Sequence, residues 1–450
     1  MARLIGVHWP LPWGLSQAKP LPLKNLNAMH TLSFPHDAHT FGGQPITQLA
    51  TEQGTPFYAY DSQRITQRIA DLRAILPKSI GMHYAIKANP FLPLVRLMAG
   101  LVDGVDIASA GELDLALKAG IVPESISFAG PGKRDSELAQ AVAENVLINA
   151  ESAGELLRLA TIAQHQGRVA RVALRVNPAF ELKGSGMRMG GGPRPFGIDE
   201  EMIPDLLASW SRFDNHLTFE GLHIFAGSQN LNGEAIAEAQ RASYQLALSL
   251  AAHAPAPIKT LNLGGGFGIP YFPHESALDL TPIIAALNEI ATDAAQRLPH
   301  AALHLELGRY LVGEAGIYVT RIIDKKVSRG HTYLVTDGGL NHHLAASGNF
   351  GQVIRRNYPV AIIHSQDAGK VLSRDGFKSP SLDGAGDTAT STPTSVVGPL
   401  CTPLDLLADN VNLPHATPGD LFVIFQSGAY GASASPQNFL SHPTVTEMLL

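Results

Sequence analysis

The 450-residue sequence contains one cysteine, Cys401, so no disulfide can form within the chain. A lone thiol fits a reducing compartment. Charge is also scarce: Asp, Glu, Lys and Arg make up 16% of residues, below the ~25% usual for soluble proteins. Thirty-three basic residues against 39 acidic ones leave a net charge of −6. That lacks the basic excess of a nucleic-acid-binding surface. No uninterrupted apolar run reaches about 18 residues, so no membrane-spanning helix is expected. HExxH and CxxC spacings are missing too, and no metal is expected. Apolar material is plentiful: 45% of residues are hydrophobic, which allows a large core and excludes global disorder. Residues 1–35 start with one Arg and a short apolar run broken by Pro10 and Pro12. This is a poor export signal; the stretch reads as a poorly ordered extension, with Met29 a candidate start.

From about residue 58, short β-branched runs alternate with segments of helical periodicity. Candidate strands lie at 82–86, 105–108, 125–129, 146–149, 171–176, 219–225, 260–263 and 302–307. Helix-like stretches lie at 109–119, 136–143, 153–164, 235–252 and 280–297. Eight strands alternating with helices predict an α/β architecture, a (β/α)8 TIM-type barrel over 58–315 rather than an open sheet. Beyond 315, strand-like runs at 316–323, 333–336, 360–363, 394–397 and 421–425 follow without long helices. They predict a β-rich domain over 316–450, with residues 36–57 packing against it. Residues 365–395 are rich in Gly, Ser, Thr, Pro and Asp and read as a mobile surface loop in that domain. Residues 180–197 follow the fifth strand and carry five glycines before Phe196. In a barrel such a loop faces the active site, so it is a candidate lid; a plain flexible loop is the alternative.

The ends of the strands carry the reactive residues. The first ends in HYAIKAN, with Lys87 beyond an apolar run. Burial there is expected to lower the lysine pKa, which suits a Schiff-base former; a rim lysine is the alternative. The seventh ends in Gly264, Gly265 and Gly266, whose backbone N–H groups can approach a phosphate; a tight turn explains them equally well. The eighth carries Glu306, Gly308 and Arg309, suited to a protonated ring nitrogen and an anion, or to a rim ion pair. The sixth carries His223 and Phe225, which could stack on a flat ring or simply fill the core. A lysine, a stacking group, a glycine loop and a carboxylate together match pyridoxal 5′-phosphate, which has a carbonyl, a phosphate and a pyridine nitrogen.

Over roughly residues 55–440 the chain resembles the fold-type III pyridoxal-phosphate-dependent decarboxylases, the group of diaminopimelate and ornithine decarboxylases. The motifs are HYAIKAN, DIASAGEL from Asp106, GLHIFAGSQ, LGGGFG, ELGR, PLCTPLD and SGAYGASAS, in the family's order. GSGMRMGGGPRPFGI, SGNFGQVIRRNYPV and FLSHP are similar to the exosortase A system-associated subfamily. The resemblance implies an alanine racemase-like fold and α-decarboxylation of an amino acid through a Lys87 Schiff base. It implies that Asp106, Arg175, His223, Phe225, Ser228, Gly264–Gly266, Glu306, Gly308, Arg309 and Tyr430 bind the cofactor. Glu306 would keep the pyridine nitrogen protonated. Arg309, Asp405 and Tyr430 would meet substrate, and Cys401 would act in the partner subunit's site of a cytoplasmic homodimer. Three positions depart from the family pattern: Phe225 replaces a histidine, Leu307 a proline, and Thr402 the glutamate that reads a distal ammonium. Losing that charge-assisted bond costs ~1.5–3 kcal/mol, about ten- to a hundredfold. The substrate readings are therefore diaminopimelate or a related free amino acid, and an enlarged or carrier-protein-tethered one.

An amino-acid racemase of the same barrel type is a further alternative, opposed by Glu306, because those enzymes favour an arginine at the pyridine nitrogen. A cofactor-holding regulator would not need the segment around Cys401 and Tyr430. His342 and His343 are adjacent and read as strand residues pointing to opposite faces, at the surface or an interface.

Overall fold

The computed structural model describes residues 39–272, 274–350, 352, 355–365 and 394–450. The expected extension at 1–35 and nearly all of the 365–395 loop lie outside the described residues.

Eight parallel strands form the barrel: Ile80–Ala85, Gly104–Ile107, Ile126–Phe128, Leu147–Ala150, Ala170–Asn177, Leu217–Ile224, Thr260–Gly265 and Ala302–Leu307. Each pairs with its neighbour, and the eighth pairs with the first, closing the ring. Helices return the chain between strands, and several start where the sequence supplies a cap. Ser109 accepts from Glu112 N–H before the helix Ala110–Lys118, and the Glu112 carboxylate reaches back to Ala108 N–H. Ser152 caps Ala153–Gln166 and Asn232 caps Gly233–Ala251 in the same way. Each such cap contributes about 1 kcal/mol.

Strand alternation divides the side chains. One set, including Val105, Ile107, Val172, Leu174 and Leu305, is fully buried and apolar. The other set is polar. Glu306 lies beside His83, and His223 lies beside both Arg175 and Asn262. Barrel interiors usually hold bulky branched residues; polar ones at the strand ends therefore mark the site.

The second domain is a sheet ordered Val360–Ile363, Leu421–Ile424, Gly316–Ser328, His331–Thr336, Thr394–Val397 and Leu406–Val411. Phe57–Tyr60 pairs antiparallel with Gly316–Ser328 and parallel with Thr446–Leu449. Residues 58–60 thus belong to this sheet and not to the barrel, whose first helix is Ser62–Ile75. The reason is packing: Tyr58 and Tyr60 join the main core while Phe57 and Ala59 fill a second apolar cluster with Ile317, Val319 and Val423. A strand buried on both faces needs neighbours on both sides.

His342 and His343 correct the sequence reading. They lie in an irregular segment, not a strand, and are 3% and 0% exposed. His343 bonds Ser427 Oγ at 2.9 Å among Tyr58, Tyr318 and Tyr358. His342 bonds Pro443 O at 2.8 Å.

Candidate active site

Lys87 sits in a single 3-10 turn, Ile86–Ala88, directly after the first barrel strand. Its Nζ donates to Glu306 Oε1 at 3.1 Å and lies 5.5 Å from the Phe225 ring centre. The other Glu306 oxygen meets His223 Nε2 at 3.0 Å. Four residues from three strand ends thus meet at one point, as the sequence arrangement predicts. The expected lysine pKa is reversed, however. The Glu306 carboxylate raises it above the usual lysine value, and burial opposes this without winning. A side chain that remains 43% exposed keeps part of its hydration, so pairing outweighs desolvation. Burial alone would raise Glu306, yet the Lys87 ammonium and the His223 bond hold it well below the usual carboxylate range.

The glycines form a close-packed turn against these strands. Gly264 has φ +72°, and a Cβ there would lie 2.8 Å from the Ile224 carbonyl oxygen. A Cβ on Gly265 would lie 2.1 Å from the Glu306 carbonyl oxygen. Gly308 packs against Ala88, beside the lysine turn. Arg309 follows, its guanidinium 4.6 Å from the Tyr430 ring centre. Tyr430 N–H donates to Ala88 O at 2.7 Å, which ties the β domain to the lysine turn.

Ser228 belongs to a short strand, Gly227–Ser228, paired with Met187–Arg188 of the expected lid. That segment is docked rather than loose. Ser185 Oγ donates to Ser228 O at 3.0 Å, and Met189 and Gly190 N–H both donate to Ala226 O at 3.1 Å. Its far end is also anchored, because Gly197 N–H donates to Glu151 Oε2 at 3.1 Å. Glu151 Oε1 in turn accepts from Arg175 Nη1 at 2.6 Å. Asp106, near the end of its strand, pairs with His83 at 3.5 Å.

Glu151 and the buried Lys133–Glu155 pair, at 2.6 Å, escaped the sequence reading. Glu151 directly follows the strand Leu147–Ala150, so the strand-end rule applied to every strand would have found it. Lys133 and Glu155 lie within loops and helices and carry no such signal.

Two expected residues stand apart. Cys401 is exposed on this chain's surface. Asp405 is 3% exposed, and its oxygens accept from Leu340 N–H at 2.6 Å and Leu400 N–H at 2.7 Å. It is committed to the fold, contrary to the expectation that it meets substrate. A short polar residue between two glycine-containing turns, Gly338–Gly339 and Gly398, is drawn in because a Cβ on Gly339 or Gly398 would strike its carboxylate.

Among the buried atoms near strand ends without a hydrogen-bond partner among the described residues are Asp106 Oδ2, His223 Nδ1 and Arg309 Nε. Buried polar atoms are rarely left unpaired. An acceptor, a ring-edge nitrogen and a cationic donor around a lysine fit the polar edge and phosphate of a pyridoxal cofactor.

The geometry suits a barrel that holds pyridoxal phosphate, and comparison with known proteins gives the class, a pyridoxal-dependent decarboxylase. Residues 62–313 match the pyridoxal-binding domain of the pyridoxal-dependent decarboxylases, and the chain belongs to this family of carboxy-lyases. It is 39% identical over 407 residues to the L-glutamyl-[BtrI acyl-carrier protein] decarboxylase of Niallia circulans, covering 90% of each chain. It is 31% identical to the diaminopimelate decarboxylase of Helicobacter pylori strain J99, covering 88% of this chain and 90% of that one. The crystal structure of the Helicobacter pylori diaminopimelate decarboxylase with L-lysine superposes with a TM-score of 0.75 at 29% identity, covering 90% and 94%. Among the described residues, no helix is long and apolar enough to cross a membrane.

Proposed function

We propose that the chain decarboxylates the α-carbon of an amino acid whose distal end is extended, as in a carrier-protein-tethered substrate. The state of Asp405 carries this reading. Both its oxygens are used by backbone N–H groups, and Cys401 is followed by Thr402 and Pro403. This segment therefore has no free carboxylate to grip a distal ammonium. The 39% identity to a carrier-protein glutamyl decarboxylase supports the same reading. Diaminopimelate itself is the second reading, supported by the 31% identity.

Pyridoxal phosphate, when bound, supplies the electron sink for the carbanion left by CO2. The chain's own residues do the rest. Lys87 Nζ, which pairs with Glu306 in this structure, would have to give up its proton to hold the cofactor's carbonyl, and would then move a proton at the barrel mouth. Glu306 is oriented by His223 Nε2 and would accept from the ring nitrogen and keep it protonated, which would disfavour racemisation. His223 and Phe225 pack on the ring. Gly264–Gly266, Gly308, Ser228, Arg309 and Tyr430 would hold the phosphate, and Asp106 and Arg175 would meet the ring's edge. Cys401, exposed on this chain, serves the partner's site in a cytoplasmic homodimer of the exosortase-associated subfamily, where it protonates or positions the carbanion.

The test is CO2 release by the cofactor-loaded protein. The substrates are free meso-diaminopimelate, ornithine, lysine, arginine and glutamate, set against a glutamyl–carrier-protein conjugate. Turnover of the conjugate with kcat/KM about a hundredfold above the free acids is expected, the scale of one lost charge-assisted bond. Efficient turnover of free diaminopimelate would overturn it.

A further inference from the structure

Tyr271 lies beyond the glycine turn, between the strand Thr260–Gly265 and the helix Thr281–Arg297. It is 5% exposed, and its phenol oxygen accepts from Arg309 Nη1 at 2.6 Å. The guanidinium carbon lies 5.4 Å from the Tyr271 ring centre and 4.6 Å from that of Tyr430. Tyr271 is itself braced. Its backbone N–H donates to Glu275 Oε2 at 2.9 Å, and its ring packs on Tyr358 at 4.8 Å. Gln229 clamps Ile269 upstream, donating to its carbonyl at 2.6 Å and accepting from its N–H at 3.2 Å.

A guanidinium offers five N–H donors in a fixed plane. One is spent on Tyr271, two rings limit rotation, and Nε is buried without a partner among the described residues. An arginine with neighbouring rings but no anchoring acceptor could turn about its side-chain torsions, and part of its binding strength would go into ordering it. We propose that Tyr271 is a positioning residue: its phenol oxygen fixes the Arg309 guanidinium so that the remaining donors face the cofactor phosphate. Tyr358, from the segment SGNFGQVIRRNYPV, supports Tyr271 from the β domain, so this segment reaches the cofactor indirectly. The proposal rests on the reading that Arg309 binds that phosphate.

The experiment compares pyridoxal 5′-phosphate with pyridoxal, which lacks the phosphate, by absorbance titration of the cofactor-free full chain. Tyr271→Phe keeps the ring and removes only the acceptor. It is expected to weaken pyridoxal phosphate about tenfold, the scale of one hydrogen bond to a charged donor. Pyridoxal affinity should move less than about twofold, and the melting temperature of the cofactor-free chain should hold. A merely structural role would weaken both ligands alike. In an Arg309→Gln background, Tyr271→Phe should add no further loss. Equal weakening of both ligands, no weakening of either, or additive losses in the double variant would each overturn the proposal. If Arg309→Gln itself leaves pyridoxal phosphate affinity intact, the phosphate assignment fails and the proposal fails with it. If Arg309→Gln weakens binding and Tyr271→Phe does not, only the positioning role is lost.

Discussion

Glu306→Gln preserves side-chain volume and removes one negative charge at the centre of the site. In the parent chain one carboxylate oxygen meets Lys87 at 3.1 Å and the other meets His223 at 3.0 Å. The two contacts are not equivalent. Lys87 is 43% exposed, so water replaces much of what it loses, whereas the His223 and Glu306 side chains are 2% and 5% exposed. A hydrogen bond to a buried charged group contributes about 1.5–3 kcal/mol, equivalent to about 10- to 150-fold. Under the proposed role, the glutamine amide would also present N–H donors where the ring nitrogen would need an acceptor. The variant should therefore lose about 10- to 150-fold in kcat for CO2 release at saturating cofactor. Cofactor should still bind, because the phosphate contacts do not pass through residue 306. The pH dependence of stability follows from the same contacts. A carboxyl held below its unfolded value contributes stability above ~4.3, and that contribution is lost as pH falls toward the folded value. Urea denaturation of the cofactor-free proteins should thus show parent and variant converging as the pH drops from about 5 to 3. A variant that keeps more than about a third of the parent kcat with normal cofactor occupancy, well outside the expected loss of a charged hydrogen bond, would refute the role given to Glu306.

Gly264→Ala introduces a Cβ 2.8 Å from the Ile224 carbonyl at φ +72°; left-handed strain of about 1–2 kcal/mol plus that clash should weaken cofactor binding by at least about tenfold in an absorbance titration. Gly192→Ala is its control, since φ +68° imposes similar strain with nothing within 4 Å, and it should leave cofactor affinity unchanged. Burial lowers the His343 pKa to about 3, so the unfolded chain takes up a proton below ~6.5 that the folded chain refuses. That contribution is complete above ~6.5 and falls by about 1.4 kcal/mol per pH unit on acidification; His343→Gln should flatten the urea-derived stability between roughly pH 6 and 4 by that slope. Asp405→Ala leaves two buried N–H groups without acceptors, and at about 1–3 kcal/mol each the expected loss of roughly 2–6 kcal/mol is measurable by chemical denaturation; an undiminished midpoint would return Asp405 to the substrate.

The barrel and the heart of its site are legible because one topological rule links them: reactive groups lie where parallel strands end. Lys87, His223, Gly264, Glu306 and Arg309 all occupy such ends, so finding the strands finds the residues. Charge state is not legible in that way. Lys87 and Glu306 are separated by 219 positions, and only closure of the eighth strand on the first brings the pair together. The lysine's expected depressed pKa therefore reverses once a carboxylate is in contact. The strands Phe57–Tyr60, Leu406–Val411 and Thr446–Leu449 were equally hidden. They lie outside the alternating strand–helix rhythm of the barrel, and Phe57–Tyr60 and Thr446–Leu449 find their pairing partners far along the chain.

Asp405 shows why a family pattern and a local geometry must be weighed together. Its position, four residues beyond Cys401, suggests an acid that reaches a ligand. Yet a Cβ on either flanking glycine would lie 2.2 Å or 2.4 Å from its oxygens. Such close backbone approach leaves room for two N–H donors and little else. The same segment lacks an acid at position 402. Both carboxylates that could recognise a distal ammonium are thus removed, one by substitution and one by burial. Cys401, just before them, stays exposed. Under the proposed function this would leave the reacting end of the site in place without a carboxylate to measure substrate length, the arrangement expected of a decarboxylase whose substrate continues out of the pocket.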